Sequence, residues 1–284
     1  MLEFKYPFEA FGTQWVVETN TEIAEALKNS IQNRIEVFDK TYSRFRKDSL
    51  VSAIAQKAGK YVFPGDAERL VGLYEGLYKL TEGRVTPLIG DMVSRAGYDA
   101  EYSLQPKSQK PVLAWNEAMS WDGLTLTTTQ PITLDFGAAG KGYMVDILAT
   151  LLDEYFEEYV IDASGDLLHK GTSKNIVGLE HPLETGKVIG TVDVQNKSLC
   201  ASASNRRAWG DGMHHIFDPH KMAPTNEIIA TWVIADEAII ADGLATALFF
   251  TDAKKLSNKY DFEYVRMHSS GVVEYSQLFE KKLF

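Results

Sequence analysis

Cysteine is all but missing from this chain. Cys200 is the single one among 284 residues, so no intramolecular disulfide can form, which fits a reducing compartment, and no Cys/His spacing of the zinc-binding kind occurs. Cys200 lies in the apolar run Leu199-Cys200-Ala201 and reads as a small buried residue rather than a nucleophile. Long apolar runs are also missing. Nothing approaches the roughly 20 residues a membrane-spanning helix needs, and the opening MLEFKYPFEAFGTQW has no basic segment leading into an apolar one. The expectation is therefore a cytoplasmic protein with no membrane span. Positive charge is in deficit, 29 basic residues against 39 acidic for a net −10, which argues against broad nucleic-acid or anionic-membrane binding and leaves any anion site local. Internal repeats and Pro/Gly/Ser linkers are absent, so residues 1–284 read as a single domain, with 45% hydrophobic content to build its core.

Two familiar phosphate loops are absent too. In Leu134-Asp135-Phe136-Gly137-Ala138-Ala139-Gly140-Lys141-Gly142-Tyr143-Met144-Val145-Asp146 the glycines do not give G-x-G-x-x-G, and Asp135 and Gly142 stand where a Walker loop needs Gly and Ser or Thr. What is present is a strand-like run, Pro131 to Phe136, giving way to glycines and then a helix, with Lys141 at the helix start. Free N–H groups, the positive helix end and a lysine together suit an anionic, phosphate-bearing ligand. A tight strand-to-helix turn with a surface lysine is the alternative.

Along the chain, Gln14 to Glu18 reads as a strand. After the cap candidates Asn20 and Thr21, apolar residues at Ile23, Leu27, Ile31, Ile35 and Phe38 mark one stripe of a helix. The aromatic and basic stretch Phe38 to Ser49 reads as a half-exposed helix end. A second helix runs from Asp66 through Leu70, Leu73, Tyr74, Leu77 and Leu80 to a stop near Gly83, followed by the loop Thr81 to Pro87. Ala100 to Trp121 reads as a polar surface excursion. The helix after the glycines is expected to pack through Val145, Leu148, Leu152 and Tyr155. Strands are expected at Tyr159 to Asp162, with a turn at Ser164-Gly165-Asp166, and at Val188 to Val194, Ile228 to Ala235 and Glu263 to Met267. The irregular alternation, with hairpin-like pairs, predicts an α+β fold with mainly antiparallel sheets flanked by helices.

Two further stretches carry chemistry-bearing residues. His214-His215-Ile216-Phe217-Asp218-Pro219-His220 offers a general base near neutral pH, or else a loop whose histidines bond local backbone; adjacent histidines rarely share a metal ion. In Ile239 to Phe250, read as a helix, Asp242 and Thr246 are four apart on one face, a carboxylate and a hydroxyl within an apolar segment. Oxygen-only donors suit Mg²⁺; a helix cap or an internal Asp–Thr hydrogen bond is the alternative.

Taken in order, AFGTQW, TYSRFRKDSLVSAI, TEGRVTPLIG, ITLDFGAAGKGYMVD, VIDASGD, GLEHP, ASASNRRAW, HHIFDP and IADEAIIADGLATALF resemble the FAD:protein FMN transferases, the ApbE family of flavin transferases, over nearly the whole chain. The resemblance implies an ApbE-like domain that uses Mg²⁺ and FAD as substrate, cleaves the FAD pyrophosphate and attaches FMN to a threonine hydroxyl of an acceptor flavoprotein, releasing AMP. It implies metal binding by Ala138, Asp242, Ala245 and Thr246. FAD contacts are implied for Phe11, Phe45, Arg84, Val85, Thr86, Asp135, Lys141 and Ile216, and catalytic roles for His215, as the base, and Asp242. Phe11-Gly12-Thr13 stands where the family commonly has Met-Gly-Thr. Thr86-Pro87 replaces an Asp-Pro, Ser202-Ala203-Ser204 stands at the common Ser-Gly, and Asp218-Pro219-His220-Lys221-Met222-Ala223-Pro224 lacks the usual Thr-Gly pair. A Mg²⁺-dependent FAD pyrophosphatase giving FMN and AMP and a non-catalytic FAD-binding protein are the alternatives.

Overall fold

The computed structural model describes residues 2–210 and 212–284. By its contacts the chain divides into two compact units, one of residues 1–35, 139–205 and 226–284, the other of residues 36–138 and 206–225.

The first unit is built on an eight-stranded sheet whose spatial order follows the chain: Phe4–Ala10, Thr13–Thr19, Tyr159–Asp162, Asp166–Lys170, Lys197–Ala203, Ile228–Ala235, Glu263–His268 and Val273–Tyr275. Every pairing is antiparallel. Ile228–Ala235 is almost wholly buried, because both faces of this strand are covered. On one face Ala230, Trp232 and Ile234 join Leu199, Val265, Phe279 and, from the hairpin Asn175–Glu180/Val188–Val194, Leu179, Val192 and Val194. Alternation sends Thr231 to the opposite face, where its hydroxyl donates to the Ala245 carbonyl at 2.7 Å in the helix Ala238–Ala247. Cys200 pairs with Val233, and its fully buried thiol is pushed well up from its ordinary pKa by burial.

The second unit holds the helices Leu50–Gln56, Ala67–Leu80 and Gly90–Arg95, a three-stranded antiparallel sheet of Lys60–Val62, Thr125–Thr128 and Met119–Asp122, and two short ladders, Ala208–Trp209/Met213–His214 and Phe217–Asp218/Ala223–Pro224. Met92, Val93, Ala96, Tyr98, Trp209 and Phe217 form a core cluster there.

Several sequence expectations hold. The stripe Ile23, Leu27, Ile31, Ile35, Phe38 is buried, although its helix, Glu25–Tyr42, starts beyond Asn20 and Thr21. The second helix starts after Asp66 and stops before Gly83, whose left-handed backbone (φ 84°) lets its N–H reach the Tyr78 carbonyl at 2.8 Å.

Other expectations change. Pro131 to Phe136 is extended but joins no sheet. Pro131 has no N–H to give, and the donors that follow go elsewhere, Ile132 to the Ile54 carbonyl and Asp135 to the Pro87 carbonyl at 2.7 Å. Tyr155 lies past the end of its helix, Gly140–Leu152, and is exposed. The excursion from Ala100 closes earlier than expected, since Met119–Asp122 pairs with Thr125–Thr128 around a turn containing Gly123.

Candidate active site

Two clusters carry the site residues, one in each unit. In the first unit the glycine stretch opens the helix Gly140–Leu152, and Gly142 packs directly on the helix Ala238–Ala247. A Cβ at Gly142 would lie 2.2 Å from the Ala238 carbonyl and 2.6 Å from the Asp242 Cβ, so only glycine fits there. This close approach lets each helix start be capped by a carboxylate of the other. Asp242, 4% exposed, accepts the Gly142 N–H at 2.9 Å, while Asp146 accepts the Ala238 and Ile239 N–H groups at 2.8 and 2.9 Å. The first-turn N–H groups are thus partly spoken for by protein carboxylates, a change from the free N–H groups the sequence suggested. Lys141 forms an ion pair with Asp166, which is fully buried and whose Oδ1 has no hydrogen-bond partner among the described residues.

Asp242 and Thr246 share one helix as expected, with Thr246 half-buried. Ala245 is fully buried and its carbonyl is the one held by Thr231. No group of three or more His, Cys, Asp or Glu side chains among the described residues is arranged to hold a metal ion. A hard cation here would therefore rest on few protein oxygens, as Mg²⁺ does when water and substrate phosphate complete its shell. The carboxylate and hydroxyl donors fit that chemistry. Phe11 occupies the tip of the first hairpin with φ 52°, beside Gly12 at 70°, a left-handed backbone unusual for an aromatic residue, and packs edge-on against Trp15.

In the second unit Asp135 is the centre. Its carboxylate pairs with the Arg44 guanidinium and accepts the Gly137 N–H at 2.7 Å. Burial pushes its pKa up, but Arg44, the Gly137 N–H and Arg207 outweigh burial and hold it below its ordinary value. Arg44 is itself buried. It also donates to Ser94 Oγ and to the Tyr98 carbonyl at 2.8 Å, while its Nη2 has no partner among the described residues. The guanidinium lies 4.2 Å from the Phe45 ring centroid, and Tyr102 stacks on the same ring at 5.4 Å. Ala138 donates its N–H to the Tyr74 hydroxyl at 3.1 Å.

The adjacent histidines divide their roles. His214 makes the local backbone contacts, with its Nε2 2.7 Å from the Thr225 carbonyl and its Nδ1 accepting the Ile216 N–H. His215 is half-buried, with Nδ1 buried and without a partner among the described residues. Burial first, then the neighbouring charges of Arg207 and His214, lower its pKa to about 3, although hydrogen bonding to the Arg207 backbone acts the other way. Its ring is neutral at physiological pH. Arg84 reaches Glu82 at 3.6 Å and Asp218 at 3.7 Å. Val85 and Thr86 are buried; Val85 donates its N–H to the Thr81 hydroxyl, and Thr86 caps the short 3₁₀ turn Pro87–Ile89.

Sequence reasoning passed over Arg44, Asp146, Asp166 and Arg207. Asp146 gave a readable signal, a lone carboxylate inside an apolar helix. Arg44 gave none, since its partner Asp135 is 91 residues away.

Compared with known proteins, residues 11–264 match the model of the ApbE family. The FAD:protein FMN transferase of Vibrio cholerae is 24% identical over 257 residues, covering 84% of this chain and 77% of its own. The protein of the same name from Escherichia coli K12 is 22% identical over 274 residues, covering 87% and 78%. Among solved structures, the ApbE protein of Thermotoga maritima superposes with a TM-score of 0.85 at 19% identity over 99% of both chains, and the flavin transferase ApbE of Vibrio cholerae with 0.81 at 20% over the full length of both. At these identities the superpositions show a shared fold.

Proposed function

The chain belongs to the ApbE family, and from that premise we propose that it transfers FMN from FAD to a threonine hydroxyl of an acceptor flavoprotein, with Mg²⁺, releasing AMP. The observation that carries this reading is the bond between the buried Asp242 carboxylate and the Gly142 N–H. It ties the oxygen-donor pair of one helix to the glycine stretch that opens the other, two motifs 100 residues apart.

Asp242 and Thr246 are the side chains proposed to hold the metal, with the carbonyl of Ala138. Lys141 and Asp135 are the proposed polar contacts to FAD, and Phe11, Phe45, Ile216 and the Arg84 to Thr86 loop the remaining ones. Tyr102 then either yields its place on Phe45 or shares it. Bound Mg²⁺ would supply neutralising charge to the diphosphate oxygens.

His215 accepts the proton of the incoming threonine hydroxyl. Its neutral ring is the form a base requires, and the negative charge of a nearby diphosphate raises its proton affinity from the low value of the free protein. The threonine oxygen forms a bond to the FMN phosphorus, the bond from that phosphorus to the AMP oxygen breaks, and AMP leaves with the electron pair.

The test is chromatography of FAD incubated with the protein, Mg²⁺ and a candidate acceptor, quantifying AMP and free FMN. Transfer predicts metal-dependent AMP with a matching deficit of free FMN. Equal AMP and free FMN would mean hydrolysis, and intact FAD throughout would point to a binding protein.

A further inference from the structure

Arg207 has so far entered only through its charge, which lowers the pKa of Asp135 and of His215. The short antiparallel ladder pairs Ala208 with His214 and Trp209 with Met213. The ladder ends at Ala208 and His214, so Arg207 and His215 flank its open end on the two sides. The two are close enough for the Arg207 charge to lower the His215 pKa, second to burial. The Arg207 guanidinium lies 5.9 Å from the Tyr98 ring centroid, and the same ring carries the Arg44 guanidinium at 5.2 Å and stacks on Trp209 at 5.7 Å.

The two arginines on Tyr98 differ in one respect. Arg44 is neutralised by Asp135. Arg207 is half-buried, and its guanidinium makes no ion pair or hydrogen bond with any described residue. A partly desolvated guanidinium with its donors unspent, beside a neutral histidine, is arranged for an anion with paired oxygens.

We propose that Arg207 binds the phosphate oxygens of the FAD diphosphate next to His215, so that phosphate, base and incoming hydroxyl meet at the open end of the ladder. This rests on the flavin-transfer reading. Burial first, and Arg207 second, keep His215 unprotonated before substrate arrives, and a phosphate bound to Arg207 would relieve the second of these.

The experiment compares binding of FAD and of riboflavin, which has the same ring system without phosphate, by flavin fluorescence for the wild-type protein, Arg207→Lys and Arg207→Met, with AMP release measured in parallel. The proposal predicts that Arg207→Met weakens FAD binding about tenfold to a hundredfold, as expected for a charge-assisted pair, and leaves riboflavin binding within about twofold. Arg207→Lys, retaining the charge, is expected to fall between. If both variants, folded by circular dichroism, bind FAD and riboflavin in the wild-type ratio, or lose both equally, the proposal is overturned. Wild-type protein that binds FAD but releases no AMP with an acceptor present would sink the transfer reading, while a selective FAD loss in Arg207→Met would leave the phosphate site standing.

Discussion

In the unit built on the eight-stranded sheet, the charged groups around the glycine stretch are carboxylates, Asp146, Asp166 and Asp242, with Lys141 as their cation. In the other unit, the groups around Tyr98 are guanidiniums, Arg44 and Arg207, with Asp135 as their anion. The first set is rich in carboxylate oxygens, the second in guanidinium nitrogens. Both are held by long-range bonds, but of different kinds. The carboxylates Asp146 and Asp242 are fixed by backbone N–H groups at helix starts, which neither titrate nor move with side-chain rotamers. Asp135 is held by one backbone N–H, that of Gly137, and by one side chain, the Arg44 guanidinium. A reaction that uses a metal and a diphosphate together needs both kinds of surface.

Removing Arg44 breaks the comparison most sharply. Arg44→Met leaves Asp135 largely buried without its cation, and the loss expected is about 3–5 kcal/mol of unfolding free energy. Denaturant unfolding checks this. Adding Asp135→Asn to the same chain should restore a large part, and a double variant no more stable than Arg44→Met would show that Arg44 acts independently of Asp135.

Asp242→Ala attacks the other cluster. It is expected to lower Mg²⁺-dependent AMP release by at least about a hundredfold, since metal charge stabilisation is worth several kcal/mol. AMP release at the wild-type rate in this variant would remove Asp242 from the metal site.

Asp146→Ala sharpens the distinction between capping and ligation. It strips the Ala238 and Ile239 N–H groups of their acceptor, for an expected cost of about 2 kcal/mol in stability. The Mg²⁺ concentration giving half-maximal activity should stay within about twofold of wild type. A large shift would mean that Asp146 belongs to the metal site.

The remaining prediction concerns pH. His215, with a pKa lowered to about 3, binds its proton less readily when folded than when unfolded. Burial lowers His214 and His169 in the same sense. Their contribution to stability is present above the ordinary histidine value near 6.5 and is lost as pH falls below it, at no more than about 1.4 kcal/mol per pH unit for each group. Asp135, held low, adds loss of the same sign only below the ordinary carboxylate range. Thermal unfolding from pH 7.5 to 5 should therefore show falling stability, with a shallower slope in His215→Gln.

The sequence was legible where one segment carries the whole pattern. Asp242 and Thr246 are legible because both lie on one helical repeat, and Ile228 to Ala235 because a strand covered on both faces is apolar throughout. It was silent where meaning depends on distant partners. The basic run containing Arg44 reads as a solvated helix end until Asp135 is placed against it. Pro131 to Phe136 has the composition of a strand, but its donors are used by Ile54 and Pro87 rather than by a neighbouring strand. Arg207 stays anonymous until the fold brings its guanidinium to the Tyr98 ring and its charge near His215.

The most direct measurement is intact mass spectrometry of a candidate acceptor flavoprotein after incubation with this protein, FAD and Mg²⁺. The account predicts a mass gain of one FMN phosphoester, one AMP per adduct, lost with a chelator and lost when the acceptor threonine is changed to alanine. FAD consumed with the acceptor mass unchanged, or an adduct indifferent to the chelator, would contradict it.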